Sequence, residues 1–405
     1  MKLEIKNFGP IKEGKIETKK VTVLIGNQGS GKSTVAKLLA TFCWIEKDIS
    51  AIDGEISNEK NEIGANFIRL LKYYSIENYR ILDSTILNYI GAVCNIKMSY
   101  KAESRVPRQY SNQFTVDYAN GNYLLPRITY FPAERNIVSS LKNIKEELFS
   151  QSLQDFNELF QEAKINLNGE IQLPIGNSSV GYNGNDLYVN GENYSINLSE
   201  SASGFQSFVP MFLVVDYLST LQDKKEMDNK NRVLFKKQSA EILNNPLLSV
   251  EQQVMLLSNI AGKLNTKRMI NIIEEPEQNL FPLSQRNVLN SLLEFNNEVD
   301  GNELILTTHS PYILSYLMLA IQAAEIKEKA KGNAEILSKL YEVVPEKAIT
   351  PMKDVVVYEL NDDGTISELP QSYGLPSNDN FLNNELGKAN SLFSELMEIE
   401  NLCQE

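Results

Sequence analysis

Residues 26–34 have the types and spacing needed to hold a chain of phosphates. They are Gly26, Asn27, Gln28, Gly29, Ser30, Gly31, Lys32, Ser33 and Thr34, a full match to the pattern G-x-x-x-x-G-K-S/T. The glycines let backbone N–H groups face phosphate oxygens, Lys32 brings a positive charge to the β- and γ-phosphates, and the Ser33 hydroxyl is a ligand for Mg²⁺. The segment therefore predicts a nucleotide site with ATP and Mg²⁺ as its ligands.

Two adjacent carboxylates, Glu274 and Glu275, follow an apolar segment at 269–273. Glu274 is predicted to hold Mg²⁺ through water, and Glu275 to polarise an attacking water as general base. Adjacent carboxylates repel each other unless a cation lies near them, so a purely structural purpose is hard to supply. The alternative is a strand end that carries two solvated charges.

The single histidine of the chain, His309, follows another apolar segment at 304–307. One histidine cannot build a multi-histidine metal site, and any histidine-based acid–base chemistry must use this residue. Taken alone, a histidine at the end of a strand is more often structural than catalytic. Ligands of open parallel sheets bind at the carboxyl ends of the strands, however, and His309 is therefore predicted to contact the γ-phosphate or the attacking water.

Three apolar runs predict the buried strands that position these groups. They lie at 21–25, 269–273 and 304–307, and each leads into a helix. A strand followed by a glycine-rich loop and a helix is the context that a phosphate-binding loop requires. The predicted fold class is α/β, a P-loop NTPase with a mixed central sheet and helical and β-hairpin insertions.

The charge of the chain limits its partners. Lys and Arg number 39 and Asp and Glu 52, which gives a net charge of −13 and argues against a surface coated with nucleic acid or anionic lipid. A local basic cluster at 224–237 predicts either DNA contact or a solvated helix face. It consists of Lys224, Lys225, Lys230, Arg232, Lys236 and Lys237.

Apolar stretches and cysteines indicate a cytoplasmic protein with no membrane contact. The longest apolar stretch, 208–215, is much shorter than the ~20 residues of a membrane span. The three cysteines lie far apart, without a Cys-x-x-Cys pair, which argues against a disulfide framework or a structural zinc site.

The order of these motifs resembles that of the ABC-class ATPases. The phosphate loop is followed by Ile-Ile-Glu-Glu-Pro-Glu at 272–277 and Thr-Thr-His-Ser-Pro at 307–311. The soluble branch fits best: the RecF- and SMC-like heads and the overcoming-lysogenization-defect (OLD) ATPases. The segments 5–11 and 130–135 also resemble that branch. The resemblance implies a fold of the ABC ATPase-head type and an ATPase that uses Mg²⁺.

On this resemblance the whole chain, 1–405, is one ATPase head with additions. These are a helical and strand insertion at 48–125, a helix and β-hairpin insertion at 136–198, a helical arm at 213–265 and a C-terminal hairpin with an acidic helix at 345–405. Residues 48–89 have a helical period, 136–165 read as one amphipathic helix, and Asn183-Gly184 and Asn190-Gly191 are hairpin signals.

The resemblance also implies a signature sequence that binds ATP on a partner subunit. Residues Ser203, Gly204 and Gln206 align with the Ser, Gly and Gln of Leu-Ser-Gly-Gly-Gln, whereas Ala202 replaces Leu and Phe205 replaces Gly. A plain helix N-cap is the alternative interpretation. A working signature implies a homodimer or higher homo-oligomer that encloses two ATP molecules. Because the signature is altered and Glu274 stands where the family has Asp, slow hydrolysis is expected.

Further roles follow from the resemblance alone. Glu134 is implied as a metal or water contact, and Arg135 as either a site residue or a salt-bridge partner. The segment after Val355 shows no Toprim pattern of the OLD nucleases, so a separate effector, a nuclease or toxin, is expected in a bacterial anti-phage system. A RecF- or SMC-like repair ATPase and an ATP-binding scaffold remain alternatives. The last helix carries a stripe that docks on its own core or on a partner, formed by Leu382, Leu386, Ala389, Phe393 and Leu396.

Overall fold

The computed structural model describes residues 1–51, 59–79, 81–102, 110–118, 126–140, 149–222 and 268–402, with scattered residues between 237 and 256. Its helices are α1 (Lys32–Ala51), α2 (Glu59–Tyr73), α3 (Ile137–Ser140), α4 (Gln151–Ile165), α5 (Ser203–Gln222), α6 (Pro282–Asn297), α7 (Pro311–Ala330), α8 (Ala334–Val343) and α9 (Phe381–Leu402). Its strands are β1 (Lys2–Phe8), β2 (Ile11–Glu17), β3 (Val21–Gly26), β4 (Ile81–Ile90), β5 (Cys94–Ala102), β6 (Tyr110–Tyr118), β7 (Pro126–Phe131), β8 (Glu170–Gln172), β9 (Ser179–Tyr182), β10 (Leu187–Gly191), β11 (Tyr194–Asn197), β12 (Arg268–Glu274), β13 (Glu303–Thr307), β14 (Val355–Leu360), β15 (Ile366–Glu368), β16 (Gln371–Ser372) and β17 (Leu375–Pro376).

The central sheet has six strands in the order β15-β14-β3-β13-β12-β7. Strands β14, β3, β13, β12 and β7 are parallel, and β15 joins the edge antiparallel to β14. Side chains alternate between two hydrophobic cores, since successive residues of a strand point to opposite faces. In β12, for example, Met269 and Ile273 belong to one core, whereas Ile270 and Ile272 belong to the other. The predicted α/β P-loop fold with a mixed central sheet is confirmed.

A second, antiparallel sheet covers helix α1 and has the order β2-β1-β4-β5-β6. Strand β4 occupies residues 81–90, where a helical period was predicted, and that prediction is wrong for these residues. Thr85, Leu87 and Tyr89 are buried while Ser84 and Ile90 are exposed, a period of two that pairs β4 with β1. The 48–125 segment thus contributes three strands to the sheet that the N-terminus begins.

The described residues of the 136–198 segment form the four-residue helix α3, the 15-residue helix α4 and a four-stranded sheet of order β11-β10-β9-β8. The predicted continuous helix 136–165 is not observed as such: α3 ends at Ser140, residues 141–148 lie outside the described part of the chain, and α4 begins at Gln151. The first hairpin turns at 183–186, as predicted. The second hairpin turns at Glu192 and Asn193. Asn190 and Gly191 lie before the turn, because they belong to β10 and pair with Ser195 and Tyr194 of β11.

Helix α5 passes the length and hydropathy test for a membrane span, with a mean hydropathy of 1.2 over Ser203–Leu221. More than half of this segment is buried in the hydrophobic core, as in the core helix of a folded domain. Most of the predicted helical arm at 213–265 and all of the basic cluster except Lys237 lie outside the described residues. Cys43 and Cys94 are buried free thiols.

The C-terminal segment contains the predicted hairpin of β14 and β15 and ends in α9. Leu382 at the base of α9 is buried. Leu386, Phe393 and Leu396 are 53%, 65% and 62% exposed. The apolar stripe of α9 was predicted to pack either on the core of its own chain or on a partner. Among the side chains of this stripe that the structure describes, only Leu382 in the first turn packs on the core.

Candidate functional site

The carboxyl ends of four adjacent strands lie along one edge of the central sheet. From β3 to β7 these ends carry the glycine-rich loop, His309, the pair Glu274-Glu275 and the segment that contains Glu134. The register aligns the ends, since Thr307 of β13 lies opposite both Leu24 of β3 and Glu274 of β12. The structure thus brings together the loop, the histidine and the carboxylates that the sequence predicted to be neighbours.

The loop 26–34 has an open, left-handed backbone at its glycines. Gly26, Gly29 and Gly31 have φ values of +141°, +76° and +103°, which side-chain-bearing residues rarely adopt. The Lys32 ammonium, almost fully buried, donates to the carbonyls of Gly26 (2.8 Å) and Asn27 (2.7 Å). Burial lowers the pKa of Lys32 to about 8, although the nearby glutamates act in the opposite direction. The Lys32 ammonium therefore has neutral carbonyl oxygens, rather than anions, as the acceptors of these hydrogen bonds.

The predicted metal position lies between Ser33 and Glu274. Glu274 is 4% exposed, burial raises the pKa of its carboxyl, and its interactions with Lys37, Tyr130 and Ser33 act to lower it. The Tyr130 hydroxyl faces this carboxylate, yet neither that hydroxyl nor Glu274 Oε1 completes a hydrogen bond of standard geometry. The Ser33 hydroxyl and the unsatisfied Oε1 of Glu274 are oxygen ligands of the kind that Mg²⁺ takes from P-loop proteins. These two residues therefore fit the ion.

Glu275 is held beside His309. Its Oε1 lies 3.4 Å from Nε2 of the imidazole, while Nδ1 lies 3.3 Å from Nζ of Lys32. A neutral imidazole protonated at Nε2 satisfies both contacts, because Nδ1 then accepts from the ammonium and Nε2 donates to the carboxylate. The hydrogen bond from His309 is the largest cause that lowers the pKa of Glu275, which therefore stays ionised at neutral pH.

A third carboxylate, Glu277, was not singled out from the sequence. Its Oε1 accepts hydrogen bonds from the Thr308 hydroxyl (2.7 Å) and from the backbone N–H of His309 (2.8 Å). Burial raises the pKa of this carboxyl, and Oε2 is enclosed without a partner. The signal in the sequence was the segment Glu275-Pro276-Glu277 directly after β12. It places the carboxyl of Glu277 within reach of Thr308 and His309 at the end of β13.

Glu134 and Arg135 occupy a 3₁₀ turn after β7 and behave differently. Glu134 is exposed, and its charge contributes to raising the pKa of Glu274. Arg135 is fully buried and donates only to backbone carbonyls, those of Pro132, Ser207, Glu274 and Glu275. The suggested salt bridge of Arg135 is therefore not observed among the described residues, and the guanidinium instead links three segments of backbone.

The predicted signature opens α5. Ala202 occupies the N-cap position, since its carbonyl accepts from the N–H groups of Phe205 and Gln206, and Ser203 is the first helical residue. Ser203 is exposed, with no capping role for its hydroxyl, so the plain N-cap interpretation does not apply to it. Gln206 is engaged within its own chain, because its amide donates to the carbonyls of Ser199 (3.1 Å) and Ser201 (2.8 Å).

Within the described part of the chain, no group of three or more His, Cys, Asp or Glu side chains is arranged to hold a metal ion on its own. A Mg²⁺ ion at Ser33 and Glu274 would therefore depend on the phosphates of the nucleotide for further ligands, which is how Mg²⁺ is usually bound with nucleotides.

The sequence matches the family model described as AAA ATPase domain over residues 1–104 and 92–314, which together span more than three quarters of the chain. No curated protein matches it. Similar solved structures include the SMC head domain from Thermotoga maritima (11% identity, 92% of this chain and 98% of that chain, TM-score 0.33) and an SMC head bound to the C-winged helix domain of ScpA (11%, 92% and 97%, TM-score 0.37). A third is the recombination mediator protein RecF (11%, 91% and 97%, TM-score 0.30).

Proposed function

The chain belongs to the AAA ATPase domain family, and we propose that it binds ATP on the loop 26–34 and hydrolyses it with Glu275 as general base. One observation carries the proposal. Lys32, His309 and Glu275 form a continuous chain of contacts of 3.3 Å and 3.4 Å across three adjacent strand ends. Such a chain joins a phosphate-binding cation to a base that can accept a proton from water.

Lys32 and the loop backbone are the groups that would hold the phosphates. The ammonium now donates to the carbonyls of Gly26 and Asn27 and can exchange these neutral acceptors for anionic phosphate oxygens. The Ser30 hydroxyl is buried at the loop without a hydrogen-bond partner, and it is a further donor for a phosphate. The N-terminus of α1, which begins at Lys32, adds a partial positive charge at the same place.

Ser33 and Glu274 are the residues that would hold Mg²⁺, and exposed Glu134 is the proposed further contact through water. When bound, the ion neutralises charge on the β- and γ-phosphates. Glu274 carries one methylene more than the Asp that stands here in the ABC class, and the proposal accordingly includes slow turnover.

Glu275 and His309 are the proposed hydrolytic groups. Glu275 is ionised because its pKa is lowered, so it can orient a water and accept its proton. His309 donates to Glu275 from Nε2, which directs the carboxylate and leaves the imidazole next to the ammonium of Lys32. In that position His309 can respond to the presence of the γ-phosphate.

A two-fold homodimer is proposed to complete each site with Ser203, Gly204 and Gln206 of the second chain. The start of α5 supports this, because Ser203 is exposed and neither its hydroxyl nor the N–H groups of Ser203 and Gly204 have a hydrogen-bond partner among the described residues. Gln206 would first have to release the carbonyls of Ser199 and Ser201. Assembly on bound ATP and release after hydrolysis would give a two-state switch.

The biological role that we propose is control of a separate effector, a nuclease or toxin, by a cytoplasmic ATPase in bacterial anti-phage defence. It rests on the resemblance to the OLD-like branch and on the net charge of −13, which favours a protein partner over DNA. The exposed side chains of Leu386, Phe393 and Leu396 on α9 give such a partner an apolar surface. DNA contact through residues 224–237 stays a prediction.

The test compares the wild type with Glu275→Gln. The substitution keeps the shape of the side chain but removes the base, so ATP turnover should fall by about 10²–10⁴-fold. ATP affinity, measured with a fluorescent analogue, should stay within about threefold, and the ATP-bound variant should have the mass of a dimer by light scattering. Equal turnover in the two proteins refutes the role of Glu275. No turnover in the wild type, with intact ATP binding, would favour the ATP-binding scaffold.

A further inference from the structure

Arg135 is the largest fully buried side chain of the described residues, and all of its hydrogen bonds go to backbone carbonyls. Nη1 donates to Glu274 (2.5 Å) and Pro132 (3.2 Å), Nη2 to Glu275 (2.6 Å) and Nε to Ser207 (3.2 Å). Burial lowers its pKa to about 10, so the guanidinium is still charged at neutral pH. The charges of Glu277, Glu275, Glu274 and Glu134 act to raise this pKa, yet none of these carboxylates accepts a hydrogen bond from the guanidinium, an unusual arrangement for a buried arginine.

We propose that Arg135 is a positioning residue that fixes Glu275 in its working orientation and ties it to the signature helix α5. The proposal rests on the hydrolytic role proposed for Glu275 and extends it to a residue whose hydrogen bonds all go to backbone carbonyls. It is built from the four carbonyl contacts and from the backbone of Glu275.

The backbone of Glu275 needs external support. Its φ of +45° lies in the left-handed region, which costs a non-glycine residue about 1–2 kcal/mol. Its N–H donates to the Thr307 carbonyl (2.9 Å), and its own carbonyl accepts from Arg135. Both sides of the residue are thereby tied to neighbouring elements, and the side chain is directed toward His309. The Glu275 carbonyl also accepts from the Gln278 N–H (3.1 Å), which belongs to the same turn. Without Arg135, this carbonyl would lose its only donor from another element among the described residues.

The same guanidinium reaches helix α5. Ser207, whose carbonyl accepts from Nε, lies one turn beyond Ser203 and Gly204, the residues proposed to bind ATP of a second chain. Asn279, four residues after Glu275, also donates to the Ser207 hydroxyl (2.9 Å). Because the guanidinium is planar and rigid, a shift of α5 on dimerisation would be transmitted to Glu275 through one group.

Lysine cannot replace this arrangement. An ammonium is a point charge on a flexible stem, whereas the guanidinium presents donors from three nitrogens in a fixed plane. Arg135→Lys should therefore keep the positive charge but hold Glu275 less accurately. Arg135→Met removes the charge as well and keeps most of the length.

The experiment measures melting temperature, ATP affinity and turnover for the wild type, Arg135→Lys and Arg135→Met. In Arg135→Lys we expect kcat to fall by about 10–100-fold, the effect of a small misplacement at a reacting centre. ATP affinity should stay within about threefold, because Arg135 does not touch the loop 26–34. Arg286→Lys is the matched control, since Arg286 also donates to a carbonyl, that of Val343, away from the site, and it should leave kcat unchanged.

The pH profile separates positioning from folding. Arg135 is among the charges that lower the pKa of Glu275, so the acidic limb of the kcat profile should move to higher pH in Arg135→Met and stay in place in Arg135→Lys. Wild-type kcat in a folded Arg135→Lys overturns the proposal, as does a parallel loss of kcat, ATP affinity and folding. If Glu275→Gln also turns over ATP normally, the proposed function fails with it; if Glu275→Gln is inactive, only the role of Arg135 fails.

Discussion

Removing the carboxylate of Glu277 should destabilise the protein and slow turnover while ATP binding remains. Its Oε1 accepts two partly buried hydrogen bonds, from the Thr308 hydroxyl and the His309 N–H. Hydrogen bonds to a charged acceptor contribute about 1.5–3 kcal/mol each, and part of that gain is offset because Oε2 is enclosed without a partner. We expect Glu277→Ala to cost about 3 kcal/mol. For a chain of 405 residues this corresponds to a melting temperature lower by about 3–4 °C.

The activity change follows from the same contacts. Glu277 holds the backbone of His309, whose imidazole touches both Lys32 and Glu275, so its loss should lower kcat at least tenfold. Glu277→Gln keeps an oxygen that accepts both hydrogen bonds, and its cost should be below about 1 kcal/mol, with kcat within about threefold of the wild type.

Calorimetry and steady-state ATP turnover measure these effects. Gln278→Ala is the matched control, since its side-chain oxygen has no hydrogen-bond partner, and it should behave like the wild type. If Glu277→Ala melts and turns over like the wild type, the reasoning is wrong. If Glu277→Gln is as damaged as Glu277→Ala, charge rather than hydrogen-bond acceptance is the important property.

Two further predictions concern the loop 26–34. The pKa of Lys32 is about 8 without ligand, and bound phosphates raise it, so ATP binding should take up a proton above pH 8. Above pH 8 the Kd for ATP should therefore rise with pH, by up to about tenfold per pH unit. Below pH 8 the Kd should be independent of this group. Titration calorimetry in buffers of different ionisation enthalpy measures that proton, and Lys32→Met should not take it up. Gly26→Ala would place a Cβ 2.4 Å from the Leu360 carbonyl oxygen, so the loop would have to shift and ATP affinity should fall more than about tenfold. Gly29→Ala has open space around the new Cβ, so it should cost only the ~1–2 kcal/mol of conformational free energy of an alanine in the left-handed region. Equal ATP affinity of the two variants contradicts the steric argument.

The sequence was sufficient to predict which strand ends meet. Continuous apolar runs such as Val21–Gly26 indicate strands buried on both faces, and parallel strands place their carboxyl ends at one edge. The three motifs were therefore expected at the same edge of the sheet once the runs were identified. Whether His309 would be adjacent to Lys32 or to the glutamates depended on strand order, which periodicity does not contain.

Strand β4 shows where sequence patterns were insufficient. In residues 81–90 the alternation of Thr85, Leu87 and Tyr89 competes with the helical period of the preceding segment, in which Phe67, Leu70 and Leu71 are buried. The change of period occurs after Ser75, whose φ of +56° follows the end of α2. A single residue with this conformation has no composition signal, and pairing with β1, which is distant in sequence, decides the outcome.

Arg135 was ambiguous in the sequence for a related reason. A charged residue after a strand is normally expected at the surface or in a salt bridge. Its partners are backbone carbonyls, which every residue has, so no residue type at any spacing could indicate them. The tertiary fold brings these carbonyls together from α5, from the end of β12 and from Pro132 after β7.

Glu275, the proposed general base, has an unfavourable backbone conformation. Glycine would adopt a φ of +45° without cost, yet glycine has no carboxylate, so the position combines an unfavourable backbone with the side chain that the proposed hydrolytic role uses. Asn279, four residues later, also has a positive φ, so the segment after β12 turns sharply twice. The first turn directs Glu275 toward His309, and the second brings Asn279 to Ser207 of α5. The proposed role of Glu275 therefore gives a reason for keeping a glutamate at a backbone conformation that favours glycine.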